Sequence, residues 1–177
     1  MTQPFIDCAI KLKNKINLEN ISEIICKVGE GTVHRLWEPL FEKQNPSSAY
    51  SAKFSVPYCV AIGLVYGKAG LEMFSNEKIK DKQLLNIASK VKYEIDPKNE
   101  YPENYTGEII IISNNGNKIV VNQDGLRGGK KNPMSHEEIG NKFYDNLKFG
   151  NLNLEDQTKI KSFVDTFFDD PNFELLV

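Results

Sequence analysis

The chain is poor in the residue types that build metal sites and nucleophilic triads. Its 177 residues include two histidines, His34 and His136, and three cysteines, Cys8, Cys26 and Cys59. No Cys-x-x-Cys pair occurs, and two histidines leave little for a tetrahedral zinc site. No metal and no cofactor is expected. The cysteines sit inside apolar runs, are odd in number and follow no secretory leader. They read as free, buried thiols of a protein in a reducing cytoplasm. A nucleophilic thiol needs a base beside it to lower its pKa, and neither histidine is near a cysteine in the sequence.

Charge of one sign is also missing. Lysine and arginine total 22 against 24 acidic residues, a net charge of −2. That gives no electrostatic footprint for DNA or RNA. The longest apolar stretch, residues 56–66, is about half the length that spans a bilayer, and it contains Pro57 and Gly63. A buried core helix is expected there, with no membrane partner. The apolar share of 40% and charged share of 26% are ordinary for a globular chain. The length suits one domain with a real core, and no linker or repeat divides it, so residues 1–177 read as a single domain.

Phe5, Cys8, Ala9, Leu12 and Ile16 recur at helical spacing and predict an amphipathic helix over residues 4–16. Ile24, Cys26 and Val28 alternate as in a half-buried strand ended by Gly29 and Gly31. Residues 34–55 show no period and hold Trp37, Pro39 and Pro46. A buried helix follows to Tyr66, with Pro57 tolerated in its first turn and Gly67 closing it. Leu84 to Val91 suggest a helix giving way to a strand that Pro97 ends.

Residues 108–112 and 118–122 are rich in β-formers and flank Asn114-Asn115-Gly116, the strongest hairpin signal in the chain. Residues 124–133 form a basic, glycine-rich loop. Ser135 and Glu138 have capping-box spacing, Ile139, Phe143 and Leu147 continue that helix, and Gly150 suits its end. Asn153 caps a last helix with a core stripe of Ile160, Phe163, Val164, Phe167 and Phe168, stopped by Asp169, Asp170 and Pro171. About five helices and four strands without a βαβ rhythm predict an α+β fold, with a mainly antiparallel sheet and helices on one face.

No self-contained active site is evident. The glycines at 125, 128 and 129 fit neither the dinucleotide nor the P-loop spacing. Asp81, Asp96, Asp124, Asp169 and Asp170 fall at turns or element ends, and no two carboxylates share a face. His136 lies in the first turn of a helix, where a capping or surface role competes with catalysis. Arg127 in the glycine-rich loop and His34 beside Arg35 and Trp37 are candidate pocket groups, against plain surface or packing roles. One segment resists a bland reading. Residues 47–58 place Lys53, Ser55 and Tyr58 at the N-terminal end of the buried helix, where free N–H groups and a lysine suit a carboxylate. Ser55 also fits as a helix cap alone.

The same residues carry a resemblance. Ala52-Lys53-Phe54-Ser55-Val56-Pro57-Tyr58-Cys59-Val60-Ala61, followed by Gly67, resembles the signature of the MmgE/PrpD family, which includes 2-methylcitrate dehydratase, cis-aconitate decarboxylase and iminodisuccinate epimerase. Residues 91–97 look like the family's strand ending in Asp-Pro. Asn132-Pro133-Met134-Ser135, with Lys142-Phe143 after it, resembles another family stretch. Pro4-Phe5-Ile6-Asp7-Cys8-Ala9 looks like the segment that opens the family's C-terminal lid domain. The resemblance therefore covers nearly the whole chain.

It implies a stand-alone lid domain of a lyase or isomerase for di- or tricarboxylates. In the family, a lysine and a histidine face the substrate just ahead of the lid. Gln3 stands where that histidine aligns, the lysine has no counterpart, and the helical domain with most catalytic groups is expected to be absent. The implied substrate-binding set is Lys53, Ser55, Tyr58, His34, Arg127 and Gln3. Three readings follow: a lid inactive alone that docks onto a separately encoded helical partner; a complete small lyase or isomerase with its site at a homo-oligomer interface; and a non-catalytic remnant of a truncated gene. Relatives are often dimers, so a homodimer is a further expectation.

Overall fold

Alternation along the strands sets the layering of this chain. The computed structural model describes residues 1–166. Four strands form one sheet: β1 (Ile21–Val28), β2 (Val91–Ile95), β3 (Gly107–Ser113) and β4 (Lys118–Gln123), in the order β2-β1-β3-β4. β3 pairs antiparallel with both β1 and β4, while β1 and β2 run parallel. The sheet is thus mixed, with two antiparallel junctions and one parallel. The parallel pair arises because the chain between β1 and β2 crosses over through helices packed on one face, the connection that parallel strands require.

Ile24, Cys26 and Val28 of β1 and Ile109 and Ile111 of β3 point into the core, as period two predicts. Val120 of β4 belongs to the opposite parity and is 53% exposed. Ion pairs Lys27–Glu94 and Lys92–Glu23 join β1 to β2.

The helices over the core are α1 (Gln3–Leu12), α5 (Val56–Tyr66) and α6 (Lys82–Ala88), and α1 packs against both α5 and the β3–β4 hairpin. α5 is apolar all round, and nine of its eleven residues are buried. Ser55 caps it, with its hydroxyl accepting from the Tyr58 amide, and Gly67 ends it in the left-handed region at φ 69°. Asp81 caps α6 in the same way. In the β3–β4 turn, Gly116 takes a φ of 83°.

Residues 34–55 are more ordered than their composition predicts. They form three short helices: α2 (Val33–Leu36), α3 (Leu40–Gln44) and α4 (Ala49–Ala52). Helices of four or five residues are too short to print a 3.6-residue period on the sequence. Trp37, in this segment near Leu40 and Phe41, is fully buried. It packs edge-on against Phe5 at 5.7 Å and against Tyr93 at 5.3 Å. Of these three residues only Phe41 is largely exposed, at 75%.

The chain divides into two compact units, residues 1–134 and 135–177. The second contains α7 (His136–Phe149) and α8 (Leu154–Thr166), each with an N-cap that the sequence predicts. Ser135 and Glu138 close the capping box, and Asn153 accepts from the Asp156 amide. The end of α7 differs from expectation: Gly150 has φ −72°, and the left-handed residue is Asn151 at φ 59°. Neither helix has a fully buried residue. In the α8 stripe, Ile160 and Phe163 are half-buried and Val164 is 51% exposed, so it does not form a closed core among the described residues. Phe167, Phe168, Asp169, Asp170 and Pro171 lie outside them.

Candidate functional site

Three polar side chains spaced four apart, Gln3, Asp7 and Lys11, lie along one face of α1. All three are fastened to the segment that leaves β4. The Gln3 amide donates to the Arg127 carbonyl at 2.8 Å. Arg127 Nε stands 3.3 Å from Asp7 Oδ1. The Lys11 ammonium donates to Gln123 Oε1 at 2.6 Å and to the Asn122 carbonyl at 3.2 Å. Gln123 in turn donates to the Gly125 carbonyl at 2.9 Å, and Asn104 donates to the carbonyl of Asp124. The loop is closed on itself by Gly128 N–H to Asn132 O, Gly129 N–H to Leu126 O and Asn132 N–H to Gly129 O.

α1 can come this close because β3 begins with a glycine. A Cβ on Gly107 would lie 2.8 Å from the backbone carbon of Pro4, inside any real contact. The junction thus joins Gln3 and Arg127, two of the six expected substrate-binding residues, across 124 positions of sequence.

Asp7 is the unusual member. It is 7% exposed, and its Oδ2 is buried without a hydrogen-bond partner. Burial raises its pKa above the ordinary carboxylate value, outweighing the opposite pull of Arg127 and Lys11. The sequence reading places Asp7 in the segment that resembles the start of the lid domain but gives it no role. The available signal was a charged side chain between two polar residues at i−4 and i+4 on one helical face.

The second expected cluster is put together differently. The Ser55 hydroxyl is fully buried, caps α5 and donates to the Lys43 carbonyl. Tyr58 is fully buried, and its hydroxyl donates to the Met73 carbonyl at 3.0 Å. Burial pushes the Tyr58 phenol well above its usual value. Both side chains face inward and bond to backbone. Lys53 is exposed at the end of α4, next to Tyr50 (71% exposed) and Phe54, whose rings are 5.3 Å apart. The Lys43 ammonium bridges the carbonyls of Arg35 and Phe54, which ties α2 to this surface. His34 is exposed on α2 and His136 on α7.

The three thiols are free and buried. Burial raises the pKa of Cys8 and of Cys59 to about 12 each, and pushes that of Cys26 well above its ordinary value. A small open pocket beside the junction is lined by Lys27, Asp96, Glu108, Asn122, Gln123 and Asp124 among others. Its one lysine is already paired with Glu94, and its three carboxylates would repel a carboxylate ligand. Among the described residues no helix is long and apolar enough to cross a membrane, and no group of three or more His, Cys, Asp or Glu is placed to hold a metal.

A family model described as the MmgE/PrpD C-terminal domain matches residues 1–167. No curated protein matches.

Proposed function

The chain belongs to the MmgE/PrpD family by its C-terminal domain, and from that premise we propose that it forms one wall of a carboxylate-binding pocket in a lyase or isomerase site completed by a helical partner. The substrate class is a di- or tricarboxylate. Removal of a proton or a carboxyl group next to a carboxylate needs a positioned base and a cationic or donor-rich cradle. The observation that carries the reading is the junction of α1 with the glycine-rich loop. It ties the Gln3 amide to the Arg127 backbone carbonyl and the Arg127 guanidinium to Asp7, and the Arg127 side chain is 41% exposed. Lys53, exposed beside Tyr50 and Phe54, is a second cationic contact on the same reading. Ser55 and Tyr58 shape this wall from behind by fixing the start of α5.

Gln3 has no basic nitrogen to take a proton, so the base comes from the partner, and the chain alone is inactive. Two apolar surfaces support a partner. One carries Phe41 and Tyr50. The other is the second unit, where Ile139, Tyr144, Phe149, Leu154 and Val164 are all exposed. The partner is a separately encoded helical domain of the same family, and the buried thiols suit a cytoplasmic setting.

The test is to mix or co-express the chain with a helical MmgE/PrpD domain, follow complex formation by gel filtration, and assay loss of water or carbon dioxide from 2-methylcitrate and cis-aconitate. A complex with turnover that neither part shows alone is the expected result. No complex with any helical domain, and a homodimer that turns over substrate by itself, would replace this reading with a site between two copies of the chain.

A further inference from the structure

We propose that Asp7 is a positioning residue, whose buried carboxylate holds Arg127 and with it the glycine-rich loop in the place where Arg127 meets the substrate. The purpose assigned to Arg127 rests on the carboxylate-pocket reading above. The holding itself rests on geometry.

The loop has two side-chain tethers to the outer turns of α1. Gln3 takes the Arg127 carbonyl and Lys11 takes Gln123, so backbone and β4 are each anchored by an uncharged acceptor. The Arg127 side chain itself is met from α1 by Asp7, at 3.3 Å. A guanidinium on a glycine-rich loop has many rotamers, and a fixed carboxylate restricts them before any ligand arrives.

A carboxylate chosen for stability alone would not look like this one. Asp7 is 7% exposed and leaves Oδ2 buried without a partner. An ion pair desolvated on one side and incompletely hydrogen-bonded contributes little to stability, and can lower it. The charged groups near this turn of α1 are Arg127 from the loop and Lys11 on α1, both favouring the ionised form. Glu108 of β3 and Asp124 after β4 act on the neighbouring Cys8. Desolvation by burial outweighs these cations and the hydrogen bonds from Arg127 and Gln3, so the Asp7 pKa is raised.

The sign follows. A carboxyl whose folded pKa is raised contributes stability while protonated, and that contribution is lost as pH rises through the folded value. At neutral pH the ionised carboxylate therefore costs the fold something while it holds Arg127. Position and stability are opposed at this residue, and that opposition makes the inference testable.

The measurement is amide hydrogen exchange by NMR on the full chain at Gly128, Gly129 and Asn132, whose N–H groups close the loop, across a pH series. In the wild type, protection of these amides is expected to fall about five- to tenfold as pH drops through the Asp7 titration. Asp7→Asn is expected to show the low protection at every pH, with a melting temperature equal to or above that of the wild type. Wild-type protection and wild-type pH dependence in Asp7→Asn overturn the proposal. So does a lowered melting temperature with the loop amides still protected, since Asp7 would then be serving the core.

Arg127→Gln, a change at a partly exposed side chain, approaches the pair from the other side. The Asp7 carboxyl, followed by carbon NMR, is expected to titrate higher in that variant, and an unchanged titration overturns the ion pair. Citrate serves as the carboxylate probe. It is expected to shift the Arg127 Nε–H signal in the wild type and to bind about tenfold more weakly to Asp7→Asn. If citrate moves nothing in the wild type, the carboxylate reading of Arg127 falls, while the exchange data still decide whether Asp7 holds the loop.

Discussion

Two segments of this chain carry the same kinds of polar side chain and use them in opposite ways. At the start of α5, Ser55 and Tyr58 are fully buried and their hydroxyls hydrogen-bond to backbone. In the middle of α1, Asp7 is almost as buried, yet one of its oxygens has no partner, and the charge it meets comes from a half-exposed arginine on a distant loop. The first arrangement satisfies its polar groups locally and stabilises a helix end. The second leaves a polar group unsatisfied, which buried groups rarely tolerate without a reason beyond folding. A buried polar side chain on a helix is therefore not by itself a mark of function. What separates the two segments is whether the hydrogen bonds close.

The comparison can be strained from the α5 side first, where the largest effects are expected. Tyr58→Ala removes a fully buried ring and its bond to Met73, and should cost about 3–5 kcal/mol in a denaturant titration. A loss near zero would show that this side chain is not in the core of the native protein. The adjacent Cys59 thiol has its pKa raised to about 12 by burial. Its thiolate fraction at pH 8 then falls about a thousandfold, so a disulfide reagent should label it only as fast as the protein unfolds. Because the folded pKa lies above the ordinary value, the thiols contribute stability that is full below about pH 9 and is lost as the pH climbs toward 12, and the melting temperature should fall over that range.

Ser55→Ala removes the α5 cap and leaves the Lys43 carbonyl without its donor, a cost of about 1–2 kcal/mol. The smallest effects belong to the exposed cations. Lys53→Ala and His34→Ala should each change stability by less than about 0.5 kcal/mol. On the pocket reading, Lys53→Ala should nonetheless weaken turnover by the complex with a helical partner. Equal activity with and without Lys53 would remove it from the proposed wall.

Much of the fold was readable from local rules. The Ser55 and Ser135 caps, Gly67, the Asn114-Asn115-Gly116 turn and the alternation of β1 each depend on residues a few positions apart, and each forms as expected. The misreadings also have local causes. Trp37 sits in a segment of three short helices with no period to reveal its inward face, so its burial against Phe5 and Tyr93 was hidden. Gly150 looked like the left-handed residue after α7, but the chain turns one residue later, at Asn151. Two capped, amphipathic helices at the end of the chain predicted a core stripe, but an apolar stripe closes only when something lies against it, and Val164 is half exposed.

Of the candidate site, the sequence held the residue types but not their partners. Alone it fixed the helix caps, the hairpin, the inward face of each strand, and the signature residues by which the chain resembles its family. All of these are decided by sterics and hydrogen bonds within a few residues. Only the tertiary structure decided that β2 lies parallel to β1, that Gln3 bonds Arg127, and that Asp7 is buried against Arg127 of the glycine-rich loop. Those outcomes depend on which surfaces meet between segments far apart in the sequence, and on how much solvation each polar group loses when they do. Neither quantity is encoded in local spacing.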